Sequence, residues 1–346
     1  MSIEADRQAV GELPIDVAVL ASLRETARLI STHYSTQIEG NRLTQAQVNQ
    51  AIAGERIPGR QRDELEVRNY YRALKEVERL SAKSTDISES DMQRIHGLLI
   101  SGKNKPSPYR LEQNVIRDSL SHAIIYLPPE AKDVPLLMTD LFTWVNRELS
   151  SGELPAPLIA GLAHYQYATI HPYLDGNGRT ARLLTTLILH KAGYGLKGIY
   201  SLDEYYAQNL TGYYQALSVG PSHNYYLGRA ESDVTGFLNY FCTGMAAAFA
   251  AIRAQASLAA RRGASDTSRL LRELDPRQRR LLALFRKQKT ATSSKIAETL
   301  GLSQRTVVAL CREWLASGFL VPHHAARKNR SYRLADSYEA LLGGQN

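Results

Sequence analysis

Apolar residues recur at intervals of three and four over most of the chain, which is the spacing that lines one face of an α-helix. Runs that alternate as strands do are scarce. The pattern therefore predicts a mainly α-helical protein. Before residue 263 the predicted helices cover residues 16–38, 44–53, 63–81, 88–100, 133–149, 157–170, 177–192, 202–217 and 231–262. Ser88 or Ser90 is the expected N-cap of the fourth helix.

One segment, residues 102–129, departs from this pattern because it is rich in Pro, Gly and Ser. Within it, residues 114–118 and 123–127 are apolar and β-branched, and a polar turn joins them. This arrangement predicts a β-hairpin.

The last quarter of the chain has the pattern of a separate module. Residues 261–266 are polar, contain a glycine and form the candidate linker. The elements predicted beyond it are helices over 276–289, 295–300 and 304–317 and strands over 318–322 and 331–334. Thr292 or Ser293, and then Ser303, are the expected caps of the second and third of these helices. The predicted domains are an N-terminal helical region (1–90), a core (91–262) and this module (267–346).

Charge is distributed unevenly between these parts. The formal net charge is +8 at pH 7, and the stretch from Arg269 to Arg333 holds 15 Lys/Arg against 4 Asp/Glu. The basic character therefore belongs to the C-terminal module, and the rest of the chain is slightly acidic. Such a concentration favours a polyanionic partner for the module. A solvated basic face is the simpler interpretation.

The cysteine content and the N-terminal sequence bear on the cellular compartment of the protein. Cys242 and Cys311 lie far apart, so neither a disulfide framework nor a thiolate metal site is expected. The N-terminus is polar and acidic, unlike a secretory signal, and no uninterrupted apolar run of about 18 residues indicates a membrane span. We therefore expect a protein of the reducing cytoplasm with no membrane partner.

The segment between the predicted helices 157–170 and 177–192 contains groups that suit phosphate binding. Gly176 and Gly178 allow consecutive N–H groups to converge on one point as an anion nest. The N-terminus of the following helix presents its positive dipole end to the same point. Arg179 and Arg182 are three residues apart, share a helical face and can both reach a polyphosphate.

Two further side chains complete this set. Asp175 is an oxygen ligand suited to Mg²⁺ held by phosphates, and His171 is a titratable base. Any one of these features is weak evidence, but together they form the set that phosphoryl-transfer chemistry needs. All of them lie within residues 171–182.

The sequence of this segment, HPYLDGNGRTAR, resembles the Fic family signature HxFx(D/E)GNGRxxR, with Tyr173 where phenylalanine is usual. The similarity covers about residues 91–217. The family's β-hairpin flap and the segment leading to it are similar to Pro108-Tyr-Arg110, Val115 and Tyr126-Leu-Pro-Pro129. A tyrosine pair that often follows the family's core is similar to Tyr213-Tyr214. The resemblance implies an all-helical Fic core with a β-hairpin flap.

The same resemblance implies an adenylyltransferase that moves AMP from ATP to a Ser, Thr or Tyr hydroxyl of a target protein. His171 would act as general base, which agrees with an imidazole that titrates near working pH, and Asp175 would hold Mg²⁺. The implied phosphate-binding residues are Gly176, Asn177, Gly178, Arg179 for the β-phosphate and Arg182 for the γ-phosphate. The flap residues implied to hold the target strand and line the nucleotide site are Ala123, Ile124, Ile125 and Tyr126. Tyr213 and Tyr214 either contact the adenine or pack in the core.

The C-terminal end of the predicted helix 16–38 carries a second motif. Ser35 and Glu39 share a helical face, and Gly40 is suited to end the helix. A glutamate at a helix C-terminus is electrostatically unfavourable, so it invites a search for a partner. The segment resembles the Fic inhibitory motif (S/T)xxxE(G/N), which implies that Glu39 pairs with Arg182 and inhibits the enzyme in cis.

The C-terminal module resembles a winged helix-turn-helix. The residues that would meet base edges are Gln304, Arg305 and Thr306 at the start of the recognition helix. Those that would lie near phosphates, on the wing, are Arg327, Lys328 and Arg330. The expected partner is double-stranded DNA, with protein contacts or dimerisation as the alternative, so a homodimer stays open.

Two other functions remain open at this point. In the first, the Fic core only senses nucleotide for a DNA-binding transcriptional regulator. In the second, a Fic enzyme uses another nucleotide or removes AMP. Direct phosphate transfer is disfavoured because Arg182 supplies the second arginine, which Fic proteins with that activity lack.

Overall fold

The structure is a computed structural model that describes residues 2–117, 124–220, 222–229, 231–263, 274–324, 331–339 and 342. The chain divides into two compact units, Met1–Ser257 and Leu258–Asn346.

The first unit is built from α-helices around one large apolar core. Its α-helices are α1 (Ser2–Glu12), α2 (Val17–Ile38), α3 (Gln45–Ile52), α4 (Gln61–Ser81), α5 (Glu89–Ser101), α6 (Val134–Ser151), α7 (Ala156–Ile170), α8 (Asn177–Lys191), α9 (Asp203–Gln208), α10 (Leu210–Leu217) and α11 (Thr235–Gly263), the last of which continues past Ser257. Helices α7 and α8 pack against each other, and α4, α5 and α6 surround them. The mainly α prediction is therefore confirmed.

The helix ends follow the expected local rules. Ser88 caps α5 by accepting from Asp91 N, and Asp16 caps α2 in the same way. The predicted helix 202–217 is wrong in one respect, because a non-helical residue, Asn209, divides it. Its side chain accepts from Gly212 N at 3.2 Å and starts a new helix. Asparagine favours such caps over helix interiors.

Helix α1 was not predicted from the sequence. It is polar along most of its length, and Val10 is the apolar side chain that it buries fully. Its other anchor is Asp6, which is buried and pairs with Arg253 Nη1 of α11 at 2.8 Å. Tertiary contacts hold this helix, and a local pattern cannot report them.

The predicted hairpin is present. Strands β1 (Ile116–Arg117) and β2 (Ile124–Tyr126) pair antiparallel, with Ile116 opposite Tyr126. Within the described residues, β1 begins at Ile116 and β2 ends at Tyr126, whereas the predicted strands begin at residue 114 and end at residue 127. Ala123, a predicted flap residue, lies outside the described residues.

The second unit contains α12 (Pro276–Lys287), β3 (Ala291–Thr292), α13 (Ser293–Leu300), α14 (Gln304–Ala316), β4 (Leu320–His324), β5 (Ser331–Leu334) and α15 (Asp336–Glu339). Thr292 caps α13 and Ser303 caps α14, as expected. The strands form an antiparallel sheet in the order β3-β5-β4. Its identification as a winged helix-turn-helix stays a prediction. Three predicted wing residues, Arg327, Lys328 and Arg330, lie outside the described residues.

One helical stretch within the described residues, Thr235–Leu258, is long and apolar enough to cross a membrane by length and composition alone. A helix that packs along a protein core meets the same criteria. Phe237, Phe241 and Phe249 of this stretch are buried in the core of the first unit.

Candidate active site

The loop between α7 and α8 has a fixed and unusual backbone. His171 ends α7 in the left-handed conformation (φ 53°, ψ 59°), which is uncommon for a residue with a side chain. Gly176 (φ 80°) begins α8. Asn177 braces the interval, since its Oδ1 accepts from Tyr173 N at 2.9 Å and its Nδ2 donates to Tyr173 O at 2.8 Å. Its side chain therefore holds the loop and leaves only its backbone for a ligand.

Arg110 holds the strained residue in place. Its Nε donates to His171 O at 3.0 Å, and its backbone N donates to Pro172 O at 3.0 Å. The guanidinium also bonds Pro129 O, beyond β2. Burial, together with the positive Arg110, lowers the pKa of His171 to about 4, so the imidazole is a neutral base at pH 7.

The first turn of α8 offers N–H groups that suit an anion. The N–H groups of Asn177, Gly178 and Arg179 have no acceptor within the helix, as at every helix N-terminus. Glu39 Oε1 lies close above this turn, because a Cβ on Gly178 would come within 2.5 Å of it. Only glycine allows this approach.

Arg182 is buried within the core (side chain 2% exposed) and contacts the end of α2. Its Nε donates to Ser35 Oγ at 2.7 Å, and its Nη2 donates to Ser35 O and Glu39 Oε1, both at 2.9 Å. Asp203 Oδ1 of α9 lies 3.3 Å from the same Nε. Burial lowers the pKa of Arg182, but Glu39, Tyr213 and Asp203 together outweigh it and the net shift is upward.

Arg179 has carboxylate partners of its own. Its Nη1 lies 2.5 Å from Glu66 Oε1 of α4, and its Nη2 lies 3.0 Å from Asp175 Oδ1. Glu66 also accepts from Asn41 Nδ2 at 2.8 Å, two residues after Glu39. Sequence analysis missed Glu66. A signal was available, because Glu66 precedes the buried Tyr70 by one turn of α4, and a carboxylate on a buried face predicts a partner.

The Asp175 carboxylate is exposed beside the helix N-terminus, and its Oδ1 accepts from Gly176 N at 2.6 Å. No group of three or more His, Cys, Asp or Glu side chains that could hold a metal is found in the part of the chain that the structure describes. A single carboxylate suits Mg²⁺, which takes its other ligands from phosphates and water. The donor set therefore fits Mg²⁺ brought in with a nucleotide.

A cleft of about 490 Å³ opens beside this group, and Glu39, Glu66, Asp175 and Arg179 are among its lining residues. His96 supports the floor of the loop. Its ring stacks on Tyr173 with centroids 3.5 Å apart, and its Nε2 donates to Asp175 O at 2.9 Å. Burial lowers the pKa of His96 to about 4, so this support is neutral at pH 7. Sequence analysis did not identify His96.

The flap residues divide between surface and core. Ile124 and Ile125 are 50% and 46% exposed. Tyr126 is buried, and its hydroxyl donates to Thr169 O at 2.7 Å near the end of α7. Its ring therefore anchors the flap to the core, and a role for Tyr126 in lining the nucleotide site stays a prediction.

The tyrosine pair divides in the same way. Tyr213 is buried, and its hydroxyl hydrogen-bonds with Nε2 of the buried His164 at 2.8 Å. This burial favours core packing behind Arg182, one of the two roles that the sequence left open for Tyr213. Tyr214 is 48% exposed, with its hydroxyl 3.4 Å from Ile38 O, so it alone of the pair is accessible to a ligand.

In the second unit, the first turn of α14 is exposed. Gln304, Arg305 and Thr306 all face solvent. Gln304 Nε2 donates to Ser293 Oγ at 3.0 Å, and the Thr306 and Ser303 hydroxyls are 2.8 Å apart. These three side chains are accessible to solvent, and their contact with a partner stays a prediction.

Residues 86–189 match the model of the Fic/DOC family. The chain is 30% identical over 195 residues to the protein adenylyltransferase Fic of Drosophila ananassae and 31% identical to that of Drosophila melanogaster. Each match covers 56% of this chain and 38% of the relative, so the chain spans well under half of these relatives.

Two solved structures resemble the whole chain or most of it. A Fic family protein from Desulfovibrio desulfuricans has a TM-score of 0.57 at 22% identity, over 100% of this chain and 97% of that one. A Fic domain containing signaling protein from Bacteroides thetaiotaomicron has a TM-score of 0.63 at 23% identity, over 75% and 97%. At these identities the likeness establishes a shared fold.

Proposed function

We propose that this Fic domain protein, in which residues 86–189 match the family, is an autoinhibited adenylyltransferase that transfers AMP from ATP to a protein hydroxyl. One observation carries the proposal. A neutral base, a free helix N-terminus and two arginines meet at one loop, while Glu39 pairs with one of the arginines at 2.9 Å. The similarity to named adenylyltransferases supports AMP as the transferred group.

The proposed reaction begins at His171. Its neutral imidazole takes the proton of a Ser, Thr or Tyr hydroxyl on the target or on the chain itself, and the oxygen attacks the α-phosphorus of ATP. The bond between the α-phosphorus and the bridging oxygen breaks, and pyrophosphate leaves with the electron pair. Arg110 fixes the backbone of the base through His171 O, and the contact of His171 Nδ1 with Ala168 O at 3.3 Å orients the imidazole before substrate arrives.

The phosphates would be held by the first N–H groups of α8 and by the two arginines. Arg179 and Arg182 are one helical turn apart, which suits neighbouring phosphates of one chain. Asp175 would hold Mg²⁺, which supplies positive charge to the phosphate oxygens. Each of these groups stabilises the charge that builds up on pyrophosphate as it leaves.

The proposed brake is the ion pair of Glu39 with Arg182. While this pair is formed, an incoming γ-phosphate meets a carboxylate beside the arginine it needs and above the helix N-terminus. ATP is then excluded or bound in an unproductive pose. Because Glu39 belongs to the same chain, inhibition acts in cis.

The target would approach along the flap. Ile124 and Ile125 of the edge strand β2 are half exposed, so an extended target segment could add to this edge through backbone hydrogen bonds. Tyr214 is the proposed adenine contact.

The test is incubation of the Glu39→Gly protein with Mg²⁺ and isotopically labelled ATP, followed by mass spectrometry of the protein. A covalent AMP on a hydroxyl side chain is expected, much above the level of the unmodified chain. The matched control is Glu39→Gly with His171→Ala, which should bind ATP and give no adduct. Absence of any adduct from Glu39→Gly would contradict the proposed activity.

The same experiment separates the alternative enzymes. A UMP adduct formed with UTP in preference to ATP would identify another nucleotide. Loss of AMP from a modified protein, dependent on Glu39, would identify AMP removal, since this carboxylate lies close enough to the loop to position a water. Nucleotide binding without any adduct would favour the sensor of a transcriptional regulator.

For the second unit we propose binding to double-stranded DNA. Its support is the excess of basic residues between Arg269 and Arg333 and the exposed first turn of α14 with Gln304, Arg305 and Thr306. Binding to duplex DNA should weaken steeply as salt rises. Arg305→Ala should weaken it, whereas Lys295→Ala, at a lysine paired with Glu298 on α13, should have less effect. No binding at low salt would refute this proposal.

A further inference from the structure

We infer that Asp203 is the permanent counter-ion of Arg182, whereas Glu39 is a removable one, and that Asp203 thereby sets how strongly the site holds distal phosphates. This inference rests on the proposed function for its meaning, although its test does not need AMP transfer. The carboxylate lies 3.3 Å from Arg182 Nε, on the first residue of α9.

The two carboxylates differ in their access to solvent. The side chain of Glu39 is 25% exposed, at the end of α2 and beside the open cleft. The side chain of Asp203 is 7% exposed and lies under α2. Glu39 can therefore leave and be hydrated, while Asp203 cannot leave without unpacking α9 from α2.

Charge balance around Arg182 makes the difference important. With both carboxylates present, one guanidinium faces two negative charges, and a phosphate is repelled. When Glu39 leaves, Asp203 still balances Arg182, so release does not strand a buried cation, which would be strongly destabilising. Asp203 thus makes release of Glu39 feasible and weakens the attraction of Arg182 for phosphate.

The other polar groups that face Arg182 cannot replace Asp203. Ser35 offers neutral oxygen acceptors. Burial raises the pKa values of Tyr70 and Tyr213 well above the ordinary range, so both phenols are neutral. For Asp203 itself, burial raises the pKa, and Arg182 and the hydroxyls of Ser35 and Ser31 offset that rise only in part.

The first experiment is a double-mutant cycle on stability in the full chain. Asp203→Asn keeps the size of the side chain and removes its charge. We expect it to lower Tm more in the Glu39→Gly background than in the unmodified background, because only there does Arg182 lose its last counter-ion. Glu204→Gln, the neighbouring residue on α9 with its side chain toward Gln208, is the matched control and should lower Tm equally little in both.

The second experiment measures nucleotide binding by calorimetry in the Glu39→Gly background. Asp203→Asn should tighten ATP binding by about tenfold or more, since an opposing charge close to Arg182 is gone, and should leave AMP, which lacks distal phosphates, unchanged. Asp203→Ser, smaller and equally neutral, should do the same if Asp203→Asn folds poorly.

The inference would be overturned if Asp203→Asn lowered Tm equally in the two backgrounds. It would also be overturned if the affinities for ATP and AMP changed alike or did not change. Failure of Glu39→Gly to transfer AMP would count only against the proposed enzyme, because neither measurement uses the reaction.

Discussion

The brake can act through charge or through occupied space, and Glu39→Gln separates the two. Glutamine has nearly the same size as glutamate, so it would still lie above Gly178 and could still accept from Arg182 Nη2, now 2.9 Å from Glu39 Oε1. It lacks the negative charge. Glycine at this position removes both the charge and the volume.

The magnitude follows from the burial of the pair. Arg182 is 2% exposed and Glu39 25% exposed, so solvent screens the pair only in part, and its charge-assisted hydrogen bond is worth about 2–3 kcal/mol. Full release by Glu39→Gly should therefore raise AMP transfer roughly 30- to 150-fold. A neutral acceptor keeps about half of that interaction, so Glu39→Gln should raise transfer by roughly tenfold.

The assay is initial-rate incorporation of labelled AMP at an ATP concentration well below KM, with thermal melts to confirm folding. The expected order of rates is Glu39→Gly, then Glu39→Gln, then the unmodified chain. If Glu39→Gln were as inactive as the unmodified chain while Glu39→Gly was active, occupied space rather than charge would be the brake. Equal rates for the two variants would instead show that charge accounts for the whole effect.

The remaining predictions concern the loop and its supports. Because burial lowers the pKa of His171 to about 4, the base stays neutral down to about pH 5. The kcat/KM of the released enzyme should therefore stay flat from pH 8 to pH 5 and fall below pH 4. A fall in kcat/KM near pH 6.5 would contradict this. Glu66→Gln leaves Arg179 with Asp175 as its remaining partner, so KM for ATP should change several-fold while AMP affinity does not; equal changes would indicate a general defect. Asn177→Ala removes both bonds to Tyr173, so it should cost about 2–3 kcal/mol of stability in urea melts and most of the activity, and an unchanged midpoint would refute its bracing role.

Much of the fold was predictable because its signals are local. The helical periodicity, the caps at Ser88, Thr292 and Ser303 and the β-branched pair of segments in the flap each depend on a few neighbouring residues. The Asn209 break was missed because the apolar spacing runs through it without interruption. Helix α1 was missed because an ion pair between the buried Asp6 and the half-exposed Arg253 holds it, and these residues lie far apart in sequence.

The candidate site was predictable where its members share a motif. His171, Asp175, Arg179 and Arg182 lie within twelve residues, and the contact of Arg182 with Ser35 and Glu39 agrees with the pairing that the short motif implied.

Other members of the site come from distant elements and have no motif of their own. Glu66 resembles other charges in α4 apart from its place one turn before Tyr70, and Asp203 resembles an ordinary acidic residue at a helix start. Arg110 was noticed only as part of the approach to the flap. Arg110, Glu66 and Asp203 each bind a group that lies far away in sequence. Arg110 binds the backbone oxygen of His171, and the two carboxylates bind arginines of α8. A sequence does not report such contacts.

The anchors along α2 bear on how the brake is released. Towards its N-terminal half, Arg28 pairs with Glu78 at 2.7 Å and Glu25 accepts from the Tyr71 hydroxyl at 2.6 Å. Beyond its end, Asn41 is tied to α4 through Asp63 O and Glu66. Undocking the whole helix would break all of these contacts, whereas Glu39 lies between the two anchors on the last turn. Local unwinding of that turn frees Glu39 from Arg182 at the smallest cost, and helix ends unwind more readily than helix interiors. We therefore expect the releasing signal to act on the turn at Glu39 and not on the packing of α2.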